Sequence, residues 1–345
     1  MGGTGDDGAH DAESVVDGSF GGLLTGYLGG MVRPAGGSIL VIRGGALGDF
    51  ILTLPALRAL RLAFPECRLE ILGYPRIAGL VAGRFYAESV RSIEYGPLAG
   101  FFARNGNLDS GLSEYFSSFG QVVSYLFDPD GIFEANLRRA GVRNYLAAYR
   151  RPEAGNRHAA EVWSEGLEAL AVWPEDFVAR LHLTDEDHAA AARGVGLLGG
   201  REYWGIHPGS GGERKNWALE RWRDVVVGLR QRRGDVGFAV TVGEAEVERF
   251  EQISGVFEGV PVVWLRDEDL PMIAAVFRGA RGFIGNDSGI THLAAAAGVV
   301  TTVLFGPTNP EIWAPRGKHV QVVRSGDGTM GGIAVDAVLE AALRF

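Results

Sequence analysis

The chain has 345 residues, 46% hydrophobic and 22% charged, which is enough for two ordinary domains with their own cores. A net charge of −9 excludes a broad nucleic-acid footprint while leaving room for a local basic groove toward an anionic ligand. The single cysteine, Cys67, excludes an intrachain disulfide framework and a cysteine metal site, and fits a reducing, cytoplasmic setting.

Residues 1–37 hold twelve glycines and five acidic residues and read as a mobile Gly-rich extension. With no Lys or Arg before Arg33 they do not read as a signal peptide, and no stretch of the chain reaches the roughly 18 apolar residues of a membrane span. Residues 38–43 (SILVIR) are a short apolar run bounded by glycine, hence a buried first strand, followed by a loop over 44–49 and helical spacing over 50–64. Pro55 costs about 3 kcal/mol inside a helix, so the helix is expected to begin near Leu54 or to kink there, with Asp49 at the loop-to-helix corner. A second strand at 68–72 completes a β-α-β unit. The region up to about residue 183 is glycine-rich and aromatic and carries no clear period, and residues 184–201 read as a linker whose glycines permit domain closure.

From Tyr203 the alternation is regular: strands at 203–206, 237–242, 262–265, 282–285 and 299–305, helices at 219–232, 244–254, 270–279 and 288–297. The final amphipathic stretch, 333–343, reads as a helix packing back on the first domain. This order predicts an α/β fold with two Rossmann-like domains, 38–183 and 184–332, facing across a central crevice, and a C-terminal helix in 333–345.

Four polar groups fall where strands end. At residues 287–290 a strand gives way to an Ala-rich helix stopped by Gly298, so the N–H groups of Ser288, Gly289 and Ile290 and the helix dipole offer a diphosphate seat without a metal ion. Gly289 would let the anion come close, and His292 lies one turn further on. Asp287 or Ser288 would otherwise serve only as an N-cap. In the loop 207–217, glycines free backbone N–H groups, Ser210 adds a hydroxyl and Lys215 a full charge, so phosphate can be held from the opposite side. Lys215 and Lys318 are the only lysines among 33 basic residues, and an ammonium is a compact charge that fits where a planar guanidinium does not. The Asp49 loop and the turn at Gly243-Glu244 complete the set. Neither the dinucleotide nor the P-loop glycine spacing is present, which argues against an NAD-linked dehydrogenase.

The segments IRGGALGDFILTLPALRAL (42–60), HPGSGGERKNWALERW (207–222), GNDSGITHLAAAAG (285–298) and LFGPTNP (304–310) resemble glycosyltransferase family 9, the heptosyltransferases of lipopolysaccharide core assembly. The likeness runs in order from about residue 38 to 325 and is poor over the first 37 residues and over 74–200. It implies a GT-B fold with an N-terminal acceptor domain, a C-terminal nucleotide-sugar domain, and inverting transfer that needs neither metal nor cofactor. Carried over by position, Asp49 matches the aspartate proposed as general base and Lys215 the phosphate-binding lysine. Asp287 matches an acid bonded to donor sugar hydroxyls, Ser288 and Gly289 the backbone phosphate contacts, with His292 nearby. Glu244 loosely matches an acid near the ribose, and Glu246 fits that role equally well.

The resemblance therefore implies transfer of a heptose-like sugar from a nucleotide sugar, ADP-heptose foremost, to a glycolipid or other cell-envelope glycan at the cytoplasmic face of the inner membrane, touched peripherally. Arg58, Arg61, Arg76 and Arg84 offer a basic rim for an anionic glycolipid, or else a solvated face. Two alternatives stand beside this reading: a nucleotide-sugar epimerase or hydrolase of the same fold, and a non-catalytic nucleotide-sugar-binding protein.

Overall fold

Short apolar runs punctuated by glycine build two separate sheets, each parallel throughout. The computed structural model describes Met1 and residues 37–344, without the side chains at 154, 155, 244 and 245. Apart from Met1 and Gly37, the Gly-rich extension expected over 1–37 lies outside the described residues.

The first sheet holds β1 (Ser38–Arg43), β2 (Arg68–Gly73), β3 (Ser89–Ser92), β4 (Gln121–Ser124) and β5 (Tyr145–Ala147) in the order β3-β2-β1-β4-β5. The second holds β6 (Tyr203–His207), β7 (Gly237–Val242), β8 (Val262–Arg266), β9 (Gly282–Asn286), β10 (Thr301–Phe305) and β11 (Val320–Arg324) in the order β11-β10-β9-β6-β7-β8. In each sheet the order reverses once, between β1 and β4, where Ile39 pairs Gln121, and between β6 and β9, where Trp204 pairs Gly282. Such reversal points open a crevice at the carboxyl ends of the strands, where ligands of doubly wound sheets sit.

Several elements depart from the sequence reading. The first helix is Leu47–Ala63 and runs through Pro55 without starting anew. Its residues from Phe50 to Leu57 are all buried, and that burial offsets the bond Pro55 cannot make. Asp49 accordingly lies inside the first turn, not at a corner before it. The expected linker contains a helix, Asp185–Gly194, capped by Thr184 in a reciprocal box with Asp187: the Asp187 N–H donates to the Thr184 hydroxyl at 3.2 Å, and the Thr184 N–H to the carboxylate at 2.8 Å. The expected helix 244–254 is a 3-10 turn, Glu244–Arg249, followed by the helix Phe250–Val256. β11 and the short elements between residues 74 and 183 carry too few residues each to show a period.

The last helix, Val335–Ala342, does not return to the first sheet. Its buried face of Val338, Leu339 and Ala342 shares a core with Trp222, Val225 and Leu229 of the helix Leu219–Arg233. Gly228 leaves the space Leu339 fills, since a Cβ there would come 2.6 Å from Leu339 Cδ1. Replacing Leu339 with alanine should destabilise the fold by about 2–5 kcal/mol, read as a lowered urea midpoint with unchanged slope.

One further core joins the two halves. Ile51, Leu54 and Leu57 of the first helix belong to the same buried cluster as Leu293, Ala294 and Ala297 of the helix Gly289–Ala297. The alanines of that helix permit close packing, so the helices that begin at the two reversal points meet.

Candidate functional site

The chain leaves β1 through residues 44–46, and Gly45 takes a positive φ of 94° that brings it against Asp49: a Cβ at Gly45 would lie 3.0 Å from Asp49 Oδ2. Asp49 is the third residue of the helix, half-buried, and its Oδ2 accepts the Ala46 N–H at 3.3 Å. A carboxylate here is favoured by the positive end of the helix and keeps lone pairs free for another donor.

Opposite it, the loops after β6 and β9 close on one another. Lys215 Nζ lies 3.2 Å from Asp287 Oδ2, and the Thr308 hydroxyl donates to the same oxygen at 2.8 Å. The Ser210 hydroxyl donates to the Asp287 carbonyl at 3.2 Å and accepts the Gly212 N–H at 3.4 Å. Asn286 ties the two loops from beneath by donating its amide to the Pro208 carbonyl at 2.8 Å. Ser288 is the N-cap of Gly289–Ala297, its hydroxyl accepting the Thr291 N–H at 3.4 Å, while the first-turn N–H groups of Gly289 and Ile290 have no helical carbonyl to bind. Thr308 was not singled out by the sequence, although it stands in the LFGPTNP segment.

The two helix starts touch. A Cβ on Gly289 would lie 2.8 Å from Leu47 Cβ and 3.1 Å from the Gly48 nitrogen, so packing of the first helix by itself requires a glycine here. Gly48 in turn faces His292, whose Cδ2 would be 3.3 Å from a Cβ there. Only 4% exposed, His292 is pushed down to about 4 by burial, with Asp287 opposing the shift and His158 and Lys215 adding to it. The ring is therefore neutral at neutral pH, and among the described residues its buried Nδ1 has no hydrogen-bond partner. Asp49, Lys215, Asp287, the Ser288 cap and His292 thus gather around one helix–helix junction.

A family model described as Glycosyltransferase family 9 (heptosyltransferase) matches residues 136–331, more than half of the chain. The chain belongs to glycosyltransferase family 9. It is 29% identical over 298 residues to lipopolysaccharide heptosyltransferase 1 of Pseudomonas aeruginosa, covering 79% of each chain. Among solved structures it is similar to a family 9 glycosyl transferase from Veillonella parvula (TM-score 0.70, 19% identity, 88% of this chain and 95% of that one). It is also similar to the ADP-heptose lipopolysaccharide heptosyltransferase II of Escherichia coli (TM-score 0.70, 16% identity, 88% and 97%). A third similar structure is an Escherichia coli heptosyltransferase solved with ADP (TM-score 0.64, 20% identity, 87% and 97%). The fold of this glycosyltransferase is therefore GT-B, two Rossmann-like halves facing across a crevice.

Within this family 9 enzyme, a buried acid follows β7 at Glu246. The Glu244 side chain lies outside the described residues, whereas Glu246 is 4% exposed. Its Oε2 accepts the Gly243 N–H at 2.9 Å, and its other oxygen lies where a side chain on Gly209 would have to go. His207, held below its ordinary pKa by burial and opposed by Glu246, places Nδ1 2.9 Å from the Thr241 hydroxyl. Beside these loops a cavity of about 560 Å³ is lined by Ser210, Glu213, Asn216, Trp217 and Arg249. It is large enough for part of a nucleotide.

Of the four arginines that offered a basic rim or a solvated face, three are paired within the chain. Arg61 is paired with Glu88 at 2.8 Å, Arg84 with Asp187 at 2.7 Å in a bidentate bridge, and Arg58 with Glu175 at 3.6 Å. These pairings, of which only the Arg84–Asp187 bridge is largely buried on both sides, are not visible in a linear sequence. Among the described residues, no three His, Cys, Asp or Glu side chains are grouped to hold a metal ion.

Proposed function

We propose that this glycosyltransferase moves heptose or a closely related sugar from a nucleoside diphosphate sugar, ADP-heptose foremost, to a lipopolysaccharide-type or other cell-envelope glycan, with inversion and without a metal ion. The observation that carries this reading is the junction itself: a carboxylate, Asp49, on the first helix start, and a cation with free N–H groups, Lys215 and the Gly289–Ala297 start, across from it. The acceptor side is assigned to residues 38–183, the donor side to 184–332, and the C-terminal helix to 333–345.

Asp49 would take the proton of the acceptor hydroxyl as its oxygen attacks the anomeric carbon, and the bond from that carbon to the diphosphate oxygen breaks on the opposite face. A carboxylate is a weak base for an alcohol, so its effect comes mainly from placement. Lys215 and the helix N–H groups hold the charge that develops on the leaving nucleoside diphosphate, the role a metal ion plays elsewhere. Asp287, steadied by Lys215 and Thr308, is left to accept from donor sugar hydroxyls, and Glu246, with Glu244 as its neighbour, faces the ribose. Relatives named for ADP-heptose and structures with ADP or an ADP-heptose analogue support the choice of donor. Among the described residues no helix is long and apolar enough to cross a membrane, and the glycolipid would be met at the cytoplasmic face.

Thermal shift against ADP, ADP-heptose, UDP and GDP, each with and without EDTA, tests the donor and the metal together. ADP or ADP-heptose at 100 times its dissociation constant should add about 2.7 kcal/mol of stability whether or not the chelator is present. Stabilisation by another nucleotide would reassign the donor, loss of the effect in EDTA would overturn metal independence, and sugar release without an acceptor would favour hydrolysis or epimerisation.

A further inference from the structure

The last residue of β1, Arg43, is a guanidinium sealed in the core beside Asp49. It is 4% exposed, and its hydrogen bonds go to uncharged oxygens: Nε donates to the Thr53 hydroxyl at 3.0 Å, Nη2 to the Asp49 carbonyl at 3.0 Å and Nη1 to the Tyr125 carbonyl at 3.4 Å. Thr53 passes the contact on, its hydroxyl donating to the same Asp49 carbonyl at 2.8 Å. The ring Arg43–Thr53–Asp49 is closed, so the backbone that aims the Asp49 side chain is held from two directions.

The stability of the fold gives no reason for a cation here. Burying a charge without a paired carboxylate is costly, and the start of a helix repels positive charge. Burial pushes the Arg43 guanidinium below its ordinary range, and Asp49 is the first of the charges that oppose this, ahead of Tyr125 and Tyr149. The guanidinium carbon lies over the Trp163 ring, 4.4 Å from its centre. Trp163 belongs to the helix Ala159–Glu165, which is braced against the second half: His158 Nε2 lies 2.8 Å from the Ala314 carbonyl, and Glu161 pairs with Arg316 at 2.7 Å.

We propose that Arg43 is a positioning residue for Asp49: through its fork to the Asp49 carbonyl and Thr53, stacked on Trp163, it fixes the first turn of the helix so that the carboxylate meets the acceptor hydroxyl. This rests on the reading of Asp49 as the base. A lysine matches it poorly, because one ammonium on a flexible stem cannot aim separate N–H groups at the Thr53, Asp49 and Tyr125 oxygens as the rigid fork does.

A double-mutant cycle tests it, following ADP release from ADP-heptose with lipopolysaccharide from heptose-deficient cells as acceptor. Arg43→Met should lower kcat about 100-fold, with the donor KM and the ADP thermal shift unchanged, and Arg43→Lys should recover less than about a tenth of the loss. Thr53→Val, which keeps the shape of the core, should lower kcat about tenfold. In an Asp49→Asn background each change should cost less than about threefold, because residues acting as one unit do not add. Equal losses in both backgrounds, or near-normal kcat in both Arg43→Met and Thr53→Val, would overturn the positioning role. An Asp49→Asn enzyme with normal turnover would instead overturn the assignment of the base on which the role depends.

Discussion

Asp49→Ala should lower turnover about 100- to 10,000-fold while leaving the ADP-induced thermal shift within error, since a positioned base contributes about that much. The separation of the two readouts follows from position. Asp49 sits on the first helix, the side assigned to the acceptor, and among the described residues its side chain bonds only the Ala46 N–H, at 3.3 Å, whereas the groups assigned to the nucleotide lie on the β6 and β9 loops. Loss of the carboxylate should cost the helix about 0.3–1 kcal/mol through its dipole, too little to unfold the protein. Asp49→Asn keeps the shape and hydrogen-bonding capacity but cannot take a proton, and it should be nearly as inactive as the alanine variant. Steady-state rates at saturating donor decide the matter: turnover within tenfold of the parent would remove Asp49 from the role of base.

The second large effect falls on the donor. Lys215→Met should lower kcat/KM by about 100- to 1000-fold, since one preorganised group facing developing charge is worth about that much, and should also weaken ADP binding. Lys215 is half-buried beside Asp287, so removing the ammonium leaves that carboxylate with only the Thr308 hydroxyl, 2.8 Å away, as a side-chain donor. The diphosphate would then face an uncompensated negative charge. Lys215→Arg should restore little, because the guanidinium is planar and wider than the gap an ammonium fills at 3.2 Å from Oδ2. Calorimetric titration with ADP separates binding from chemistry. A Lys215→Met enzyme that binds ADP normally and turns over within threefold of the parent would show that the helix N-terminus alone carries the phosphate charge.

The parallel strands and most helices of the second half were legible in the sequence because each is a local pattern. An apolar run ends in glycine, a helix period follows, and a cap such as Ser288 or a stop such as Gly298 marks its ends. The reversal of strand order, which puts the residues after β1, β6 and β9 in one crevice, was not legible there, because alternation predicts parallel pairing but not the side on which each crossover lands. The loop at 207–217 and the helix start at 287–290 could nevertheless be placed at the carboxyl ends of strands without coordinates, since each directly follows an apolar run.

Position in the chain could not decide which partners each side chain meets. Lys215 and Asp287 are joined only because β6 and β9 are neighbours, and Gly289 must be glycine because Leu47 and Gly48, from the other half, press on it. Residue order does not show that Glu246 is buried, nor that Arg58, Arg61 and Arg84 pair with carboxylates of the same chain. Pro55 stays inside its helix because burial on both sides outweighs one lost bond, and Arg43 reads as an ordinary strand residue until Trp163 and Thr53 are seen around it. By itself the sequence determined the fold class, the order of the elements and the loops that hold the polar groups, since these depend on near neighbours and on period. Only the tertiary structure decided the pairing of charges, the reason for each close-packed glycine and the support behind Asp49, because those depend on which distant segments share a desolvated space.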